Sequence, residues 1–187
     1  MSTLTSLPNL LTLLRILLIP VFVIVFYLPF TWAHGVASII FALASFTDWL
    51  DGYLARKLKQ MSPFGAFLDP VADKLLVATS LLLLVGEKDL NYITLPAIII
   101  VGREIVISAL REWMSEIGRR ASVTVSYIGK VKTAVQMIAL ILLVAFYPET
   151  SYWGGLGFIL LYVAAILTIW SMVIYILIAW PQLIQKS

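Results

Sequence analysis

Six apolar stretches follow one another along this chain with short connections between them, each roughly the 20 residues that a bilayer-spanning helix needs. In hydrocarbon every backbone N–H and C=O must be satisfied within the segment, so stretches of this kind fold as helices. The spans expected are Leu7–Leu28, closed by Pro29, and Trp32–Leu50, which continues as a polar extension toward Leu58. A third follows over Pro70–Val85, with Asp69 as N-cap and Pro70 as first helical residue. The last three are Tyr92–Met114, Ile128–Phe146 and Gly155–Trp180. The chain is 61% apolar and 12% charged, whereas soluble domains carry about 25% charged residues. The expected fold is an all-α integral membrane protein of six transmembrane helices. No polar linker divides it, so residues 1–187 are expected to form a single membrane domain. There is no cysteine, which excludes disulfides and thiol chemistry. Met1–Asn9 has no Lys or Arg and the first apolar stretch outruns a signal-peptide core, so it reads as a retained helix.

Six crossings return both termini to one side, and the basic residues say which. Arg56, Lys57, Lys59 and Lys74 fall in the second-to-third connection, and Arg119, Arg120, Lys130 and Lys132 in the fourth-to-fifth. The other connections hold only Lys88. Positive loops stay in the cytoplasm, so both termini are expected there, in a multi-pass protein of the cytoplasmic membrane. Tyr27, Trp32, Tyr92, Tyr147, Tyr152, Trp153 and Trp180 sit near expected helix ends, as interfacial aromatic belts do.

Against this background one stretch is costly: Asp48-x2-Asp51-Gly52-x2-Ala55-Arg56-x8-Gly65-x3-Asp69-x3-Asp73. Residues three or four apart share a helical face. Asp48 and Asp51 therefore share one face and Asp69 and Asp73 another, with Ser62-Pro63-Phe64-Gly65 as the turn between them. Four carboxylates at close range stay ionised when a cation sits among them. An all-oxygen donor set suits Mg2+ or Mn2+ and argues against zinc or copper. This places a metal site at the cytoplasmic face, between the second and third helices. The fourth span carries Arg103, Glu104, Arg111 and Glu112. Glu104 and Arg111 project within about 20° of each other at the helical period, and ionisable groups within a span face a polar interior. A divalent cation beside a basic cavity suits chemistry on a phosphate or pyrophosphate. Gly52, Ala55 and Gly65 leave room for close approach, and the planar fork of Arg56 matches a phosphate.

The aspartate stretch resembles, at every position, the signature of the CDP-alcohol phosphatidyltransferase family. Pro8-Asn9-x2-Thr12-x2-Arg15, Gly102-Arg103-Glu104, Ala109-Leu110-Arg111-Glu112 and Gly129-Lys130-Val131-Lys132-Thr133 extend the likeness over nearly the whole chain. They point to the bacterial members whose acceptor is sn-glycerol 3-phosphate. The resemblance implies six transmembrane helices, a homodimer, and two Mg2+ or Mn2+ ions. It also implies transfer of the phosphatidyl group from CDP-diacylglycerol to sn-glycerol 3-phosphate, with release of CMP, and no nucleic-acid partner. By that resemblance Asp48, Asp51 and Asp69 ligate metal, and Asp73 completes the metal site and is the catalytic base. Asp48, Gly52, Ala55, Arg56, Gly65 and Asp69 line the cytidine diphosphate pocket. The acceptor's phosphate needs a cationic seat, for which Arg111, Lys130 and Lys132 are the candidates, with Arg119 and Arg120 behind them.

Plainer readings stand beside these. Lys130, Lys132, Arg119 and Arg120 also serve as inside-positive anchors or headgroup contacts, and Glu104 with Arg111 as a structural ion pair. Asn9, Thr12 and Arg15 read equally as an anchor for the first helix. His34 reads as an external-loop residue outside the chemistry, and Gly154, Gly155 and Gly157 as a turn and a close helix contact. Within the family, the donor signature does not separate glycerol phosphate from acceptors such as inositol phosphate, serine or choline. A divalent-cation transporter would place its site near the midplane between repeated halves. The chain has no internal repeat, and its carboxylates gather toward one end of the helices.

Overall fold

The computed structural model describes residues 7–57, 62–87, 90–116, 127–146 and 151–184. All regular structure among them is helical: α1 (Leu7–Phe26), α2 (Ala33–Lys57), α3 (Pro63–Gly86), α4 (Thr94–Glu116), α5 (Tyr127–Ala145) and α6 (Tyr152–Ile184). A 3-10 turn at Asn91–Ile93 leads into α4. Six helices therefore stand where six apolar stretches are read. Among the described residues three segments are long and apolar enough to cross a membrane by length and composition, at Leu7–Phe26, Ala33–Leu54 and Tyr152–Ile178.

The largest departure from the sequence reading is the start of α3. The helix begins at Pro63, not Pro70. Ser62 is its N-cap in extended conformation, and its hydroxyl accepts from the Gly65 N–H at 3.0 Å. Pro63 takes the first-turn position, where a missing N–H costs nothing. Pro70 lies inside the helix and removes one backbone hydrogen bond there. Asp69 is thus no cap: Asp69 and Asp73 are both interior residues of α3, one turn apart. At the other end of the chain α6 begins at Tyr152, so Gly154, Gly155 and Gly157 are helical and mark no turn. Gly157 does mark a close contact, because a Cβ there would lie 3.0 Å from Leu142 Cβ and 3.2 Å from the Ala139 carbonyl of α5. His34 is the second residue of α2, not a loop residue, and its ring meets that of Phe26 edge-on at 5.0 Å.

The broadest helix contacts join α5 to α6 and α1 to α2, with α2 also on α5, α1 on α3, and α4 on α6. The core is built where the inner faces of α1, α2, α3 and α5 converge, on residues such as Phe22, Phe41, Leu76, Leu84 and Leu140. Phe22 and Phe41 tie α1 to α2 with ring centroids 5.8 Å apart. The outward faces are apolar too, with Leu17, Ile24, Leu82, Ile98, Ile159 and Trp170 exposed. A polar solvent gives no reason for such a surface, whereas lipid does. The same packing turns the polar stripe of α1 toward α2 and α3, and that stripe organises the site.

Candidate active site

Along α1 the buried residues are Pro8, Asn9, Thr12, Arg15, Phe22 and Phe26, spaced so that they fall on one helical face. The upper part of that face is apolar and the lower part polar. Arg15 is wholly buried, and its guanidinium spans the two carboxylates of α2. NH1 donates to Asp48 Oδ1 at 2.7 Å and NH2 to Asp51 Oδ2 at 2.5 Å. Asp51 is 2% exposed, while the Asp48 side chain is 41% exposed and opens the cluster to the outside. A planar fork suits two carboxylates set one helical turn apart, which a lysine's point charge would not.

Thr12 brings in α3. Its hydroxyl lies 2.6 Å from Asp69 Oδ1 and 3.3 Å from Asp51 Oδ2. With one proton to give, it donates to Asp69, and so it sits at the point where α2 and α3 present their acids to each other. Asn9 holds the first turn of α3: its Nδ2 donates to Ser62 Oγ at 2.9 Å, and that hydroxyl lies 3.0 Å from Asn9 Oδ1. Gly65 is buried under this contact, and a Cβ there would fall 2.5 Å from Asn9 Oδ1. The glycine is therefore needed for α1 to reach the cap of α3. Gly65→Ala is expected to push Asn9 off Ser62 and lower stability by about 1–3 kcal/mol, an overpacking cost. Thermal denaturation in detergent checks this; an unchanged midpoint would show that the Asn9 side chain yields freely.

Asp73, one turn beyond Asp69, is half-buried. It lies in electrostatic range of Asp48 and Arg15 on one side and of Glu104 and Lys132 on the other. It thus stands between the aspartate cluster and a second polar cluster. There Glu104 Oε1 accepts from Arg103 NH1 at 2.9 Å and from Lys132 Nζ at 3.1 Å. Lys74 Nζ donates to Ser108 Oγ at 2.5 Å, and Ser108 Oγ donates to the Glu104 carbonyl. A cavity of about 380 Å³ between α3 and α4 has Lys74, Glu104 and Ser108 at its polar end and Val77, Ala78 and Val101 along its walls.

These positions revise the reading of the basic residues. Lys74 and Lys132 are not connection residues: Lys74 is helical in α3, and Lys132 is buried on α5. The alternative Glu104–Arg111 pair does not form, because Glu104 turns to Arg103 and Lys132. Arg111 is exposed, with its guanidinium carbon 5.6 Å from the ring centre of Tyr175 on α6. Lys130 is exposed at the start of α5. Of the described acceptor candidates, Lys132 alone is thus placed in the interior, in electrostatic range of Asp73. Gly52 continues α2 next to Asp51, and Ala55 and Arg56 are backbone members of its last turns. The side chains of those two, and the whole of Arg119 and Arg120, lie outside the described residues.

Among the described residues no three acidic or histidine side chains are drawn together in metal-binding array. The carboxylates of Asp48, Asp51 and Asp69 are instead held by Arg15 and Thr12. The donor chemistry still fits a hard divalent cation, with four carboxylates on two adjacent helices and no sulfur or imidazole among them. The residue that sequence reasoning undervalued is Arg15. Its signal was an arginine midway along an apolar helix with Thr12 one turn before it, a pairing with no purpose at a lipid-facing surface.

Helices with apolar outer faces, closing on four aspartates with a buried arginine among them, define an integral membrane protein with a carboxylate-lined site. The chain belongs to the CDP-alcohol phosphatidyltransferase family, whose sequence profile matches residues 5–170. It is similar to the CDP-diacylglycerol–glycerol-3-phosphate 3-phosphatidyltransferase of Pseudomonas fluorescens, with 55% identity over 95% of this chain and 92% of that protein. The enzyme of the same name from Yersinia enterocolitica is 53% identical over 96% of this chain and 98% of its own length. That from Salmonella paratyphi A is 51% identical over 97% and 98%.

Proposed function

We propose that this protein transfers the phosphatidyl group from CDP-diacylglycerol to sn-glycerol 3-phosphate, giving phosphatidylglycerophosphate and CMP for anionic phospholipid synthesis. The observation that carries this reading is identity above half to relatives named for that reaction, over 95% or more of the chain. The complete aspartate signature supports it from the site itself.

Asp48, Asp51, Asp69 and Asp73 would hold the divalent cations, two Mg2+ or Mn2+ ions, which when bound neutralise charge on the pyrophosphate oxygens. Asp73 accepts the proton of the acceptor's 1-hydroxyl. The oxygen so released bonds to the phosphorus that carries diacylglycerol. The bond from that phosphorus to the bridging oxygen breaks, and CMP departs with the electron pair. Asp48, Gly52, Ala55, Arg56, Gly65 and Asp69 surround the cytidine diphosphate, with Arg56 pairing a phosphate oxygen. Lys132, Lys130, Arg111 and Arg119 supply the positive charge for the acceptor's phosphate. The acyl chains stay in lipid, against the apolar outer faces of the helices. In this reading residues 1–187 form one domain of six crossings in the bacterial cytoplasmic membrane. Both termini and the aspartates face the cytoplasm, and two copies associate. The distribution of Lys and Arg supports the orientation.

The test supplies purified protein with CDP-diacylglycerol, Mg2+ and one acceptor at a time, and measures CMP. Release is expected with sn-glycerol 3-phosphate. Release with serine or inositol phosphate, and none with glycerol phosphate, overturns the acceptor assignment.

A further inference from the structure

Lys132 carries a positive charge into the helix bundle on a side chain only 5% exposed. A buried ammonium is costly unless paired, and its partner is a single carboxylate oxygen, Glu104 Oε1. The same oxygen accepts from Arg103. Two cations therefore share one carboxylate oxygen, with Asp73 as the next acidic group in range. The trio also keeps unused hydrogen-bonding capacity. The Nε–H of Arg103 is buried without a partner, and so is Oε1 of Gln136, which lies one helical turn along α5 from Lys132 and is itself buried. An ammonium offers three donors, of which Glu104 takes one. Two cations with free donors, and a free acceptor one turn along α5, suit a small molecule that brings both an anionic group and a hydroxyl.

The placement of the pair adds a second point. α4 and α5 make no extended helix-to-helix contact; α4 leans on α6 and α3, and α5 on α6, α2 and α3. The Glu104–Lys132 ion pair thus crosses between two helices whose backbones leave space, and Asp73 lies in electrostatic range of both its members. The hydrogen bond from the Lys132 ammonium to Glu104 is the contact that ties this side chain of α5 to α4.

We propose that Glu104 is a positioning residue, which holds Lys132 and Arg103 side by side as the seat for the phosphate of the acceptor. This rests on the phosphatidyl-transfer reading and deepens it by naming the pair that binds the acceptor. When the phosphate monoester arrives, its oxygens take the donors that Glu104 leaves unused. Glu104 keeps the two cations close enough for one phosphate to bridge.

The test is Glu104→Gln in the full chain, with KM measured for each substrate separately by CMP release. Positioning requires the KM for sn-glycerol 3-phosphate to rise about tenfold or more while that for CDP-diacylglycerol stays within about twofold. Glu104→Asp, which keeps the charge one methylene short, should recover part of the loss. Glu104→Gln should raise the acceptor KM by a smaller factor in a Lys132→Met background than in the wild type, since part of its effect runs through that lysine and the rest through Arg103. A fall in the acceptor KM would mean that Glu104 merely competes with the phosphate, and would overturn the proposal. Equal changes for both substrates would reduce Glu104 to a structural tie, and would overturn it as well. Should Glu104→Gln not accumulate, the same comparison is made with Glu104→Asp, where an unchanged acceptor KM refutes the proposal. The wild-type acceptor panel separates the two levels: wild-type protein inactive with glycerol phosphate defeats the reaction assignment, whereas active wild type with an indifferent Glu104 variant defeats only the positioning role.

Discussion

Arg15→Met is expected to abolish turnover and to lower the stability of the detergent-solubilised protein by about 3–5 kcal/mol, the usual cost of removing one partner of a buried ion pair. The side chain is wholly buried, and its two terminal nitrogens hold Asp48 and Asp51. Methionine fills much of the same volume, so the loss isolates charge from packing. Without the guanidinium, Asp51 remains buried against Thr12 and in range of Asp48 and Asp69, with no other cation acting on it among the described residues. For a chain of this size the expected fall in melting midpoint is roughly 10 °C. Arg15→Lys should recover only part of it, because one ammonium does not span both carboxylates as the fork does. Thermal melting with parallel CMP release measures both effects. A Met variant that melts within about 2 °C of wild type and retains its rate would show that the aspartates need no internal counter-ion.

Asp73→Asn is expected to cut CMP release by about 10²–10⁴-fold, the range usual for loss of a general base, while leaving affinity for CDP-diacylglycerol within a few fold. Asparagine preserves the shape and one carbonyl oxygen but has no basicity. Asp73 lies in electrostatic range of both the Arg15 cluster and the Glu104–Lys132 cluster, and the proposed reaction uses it as the base for the acceptor hydroxyl. Turnover measured beside equilibrium binding of the donor separates the roles. Near-normal turnover removes Asp73 as the base. Lost turnover together with lost donor binding would make it chiefly a ligand-holding residue.

The spacing of the aspartates was readable directly, because helical period alone puts Asp48 with Asp51 and Asp69 with Asp73. What sequence did not give was the frame around them. Two prolines compete to start α3, and a cap at Asp69–Pro70 looks as sound locally as one at Ser62–Pro63. Asn9 of α1 decides between them by bonding Ser62, a contact across 53 residues. Lys74 and Lys132 were counted with the connections because each follows a polar stretch. Their partners, Ser108 and Glu104, lie 34 and 28 residues away. Arg15 was visible as an anomaly in an apolar helix, but its pairing with α2 depends on which helix faces which. Period gives the face of a helix, and only packing gives its neighbour.

The Arg15 fork also bears on how such a chain enters a membrane. An arginine at the middle of a helix costs about 2.5–3.5 kcal/mol to insert, and an aspartate a similar amount. α1 carries Arg15 and α2 carries Asp48 and Asp51, and only a short connection separates the helices. Inserted singly, each helix would strand its ions in hydrocarbon. When they insert as a hairpin, the guanidinium is paired with both carboxylates and offsets one of their two charges before the rest of the chain has been synthesised. On this account the Arg15 fork serves first as the means by which the first two helices go in together.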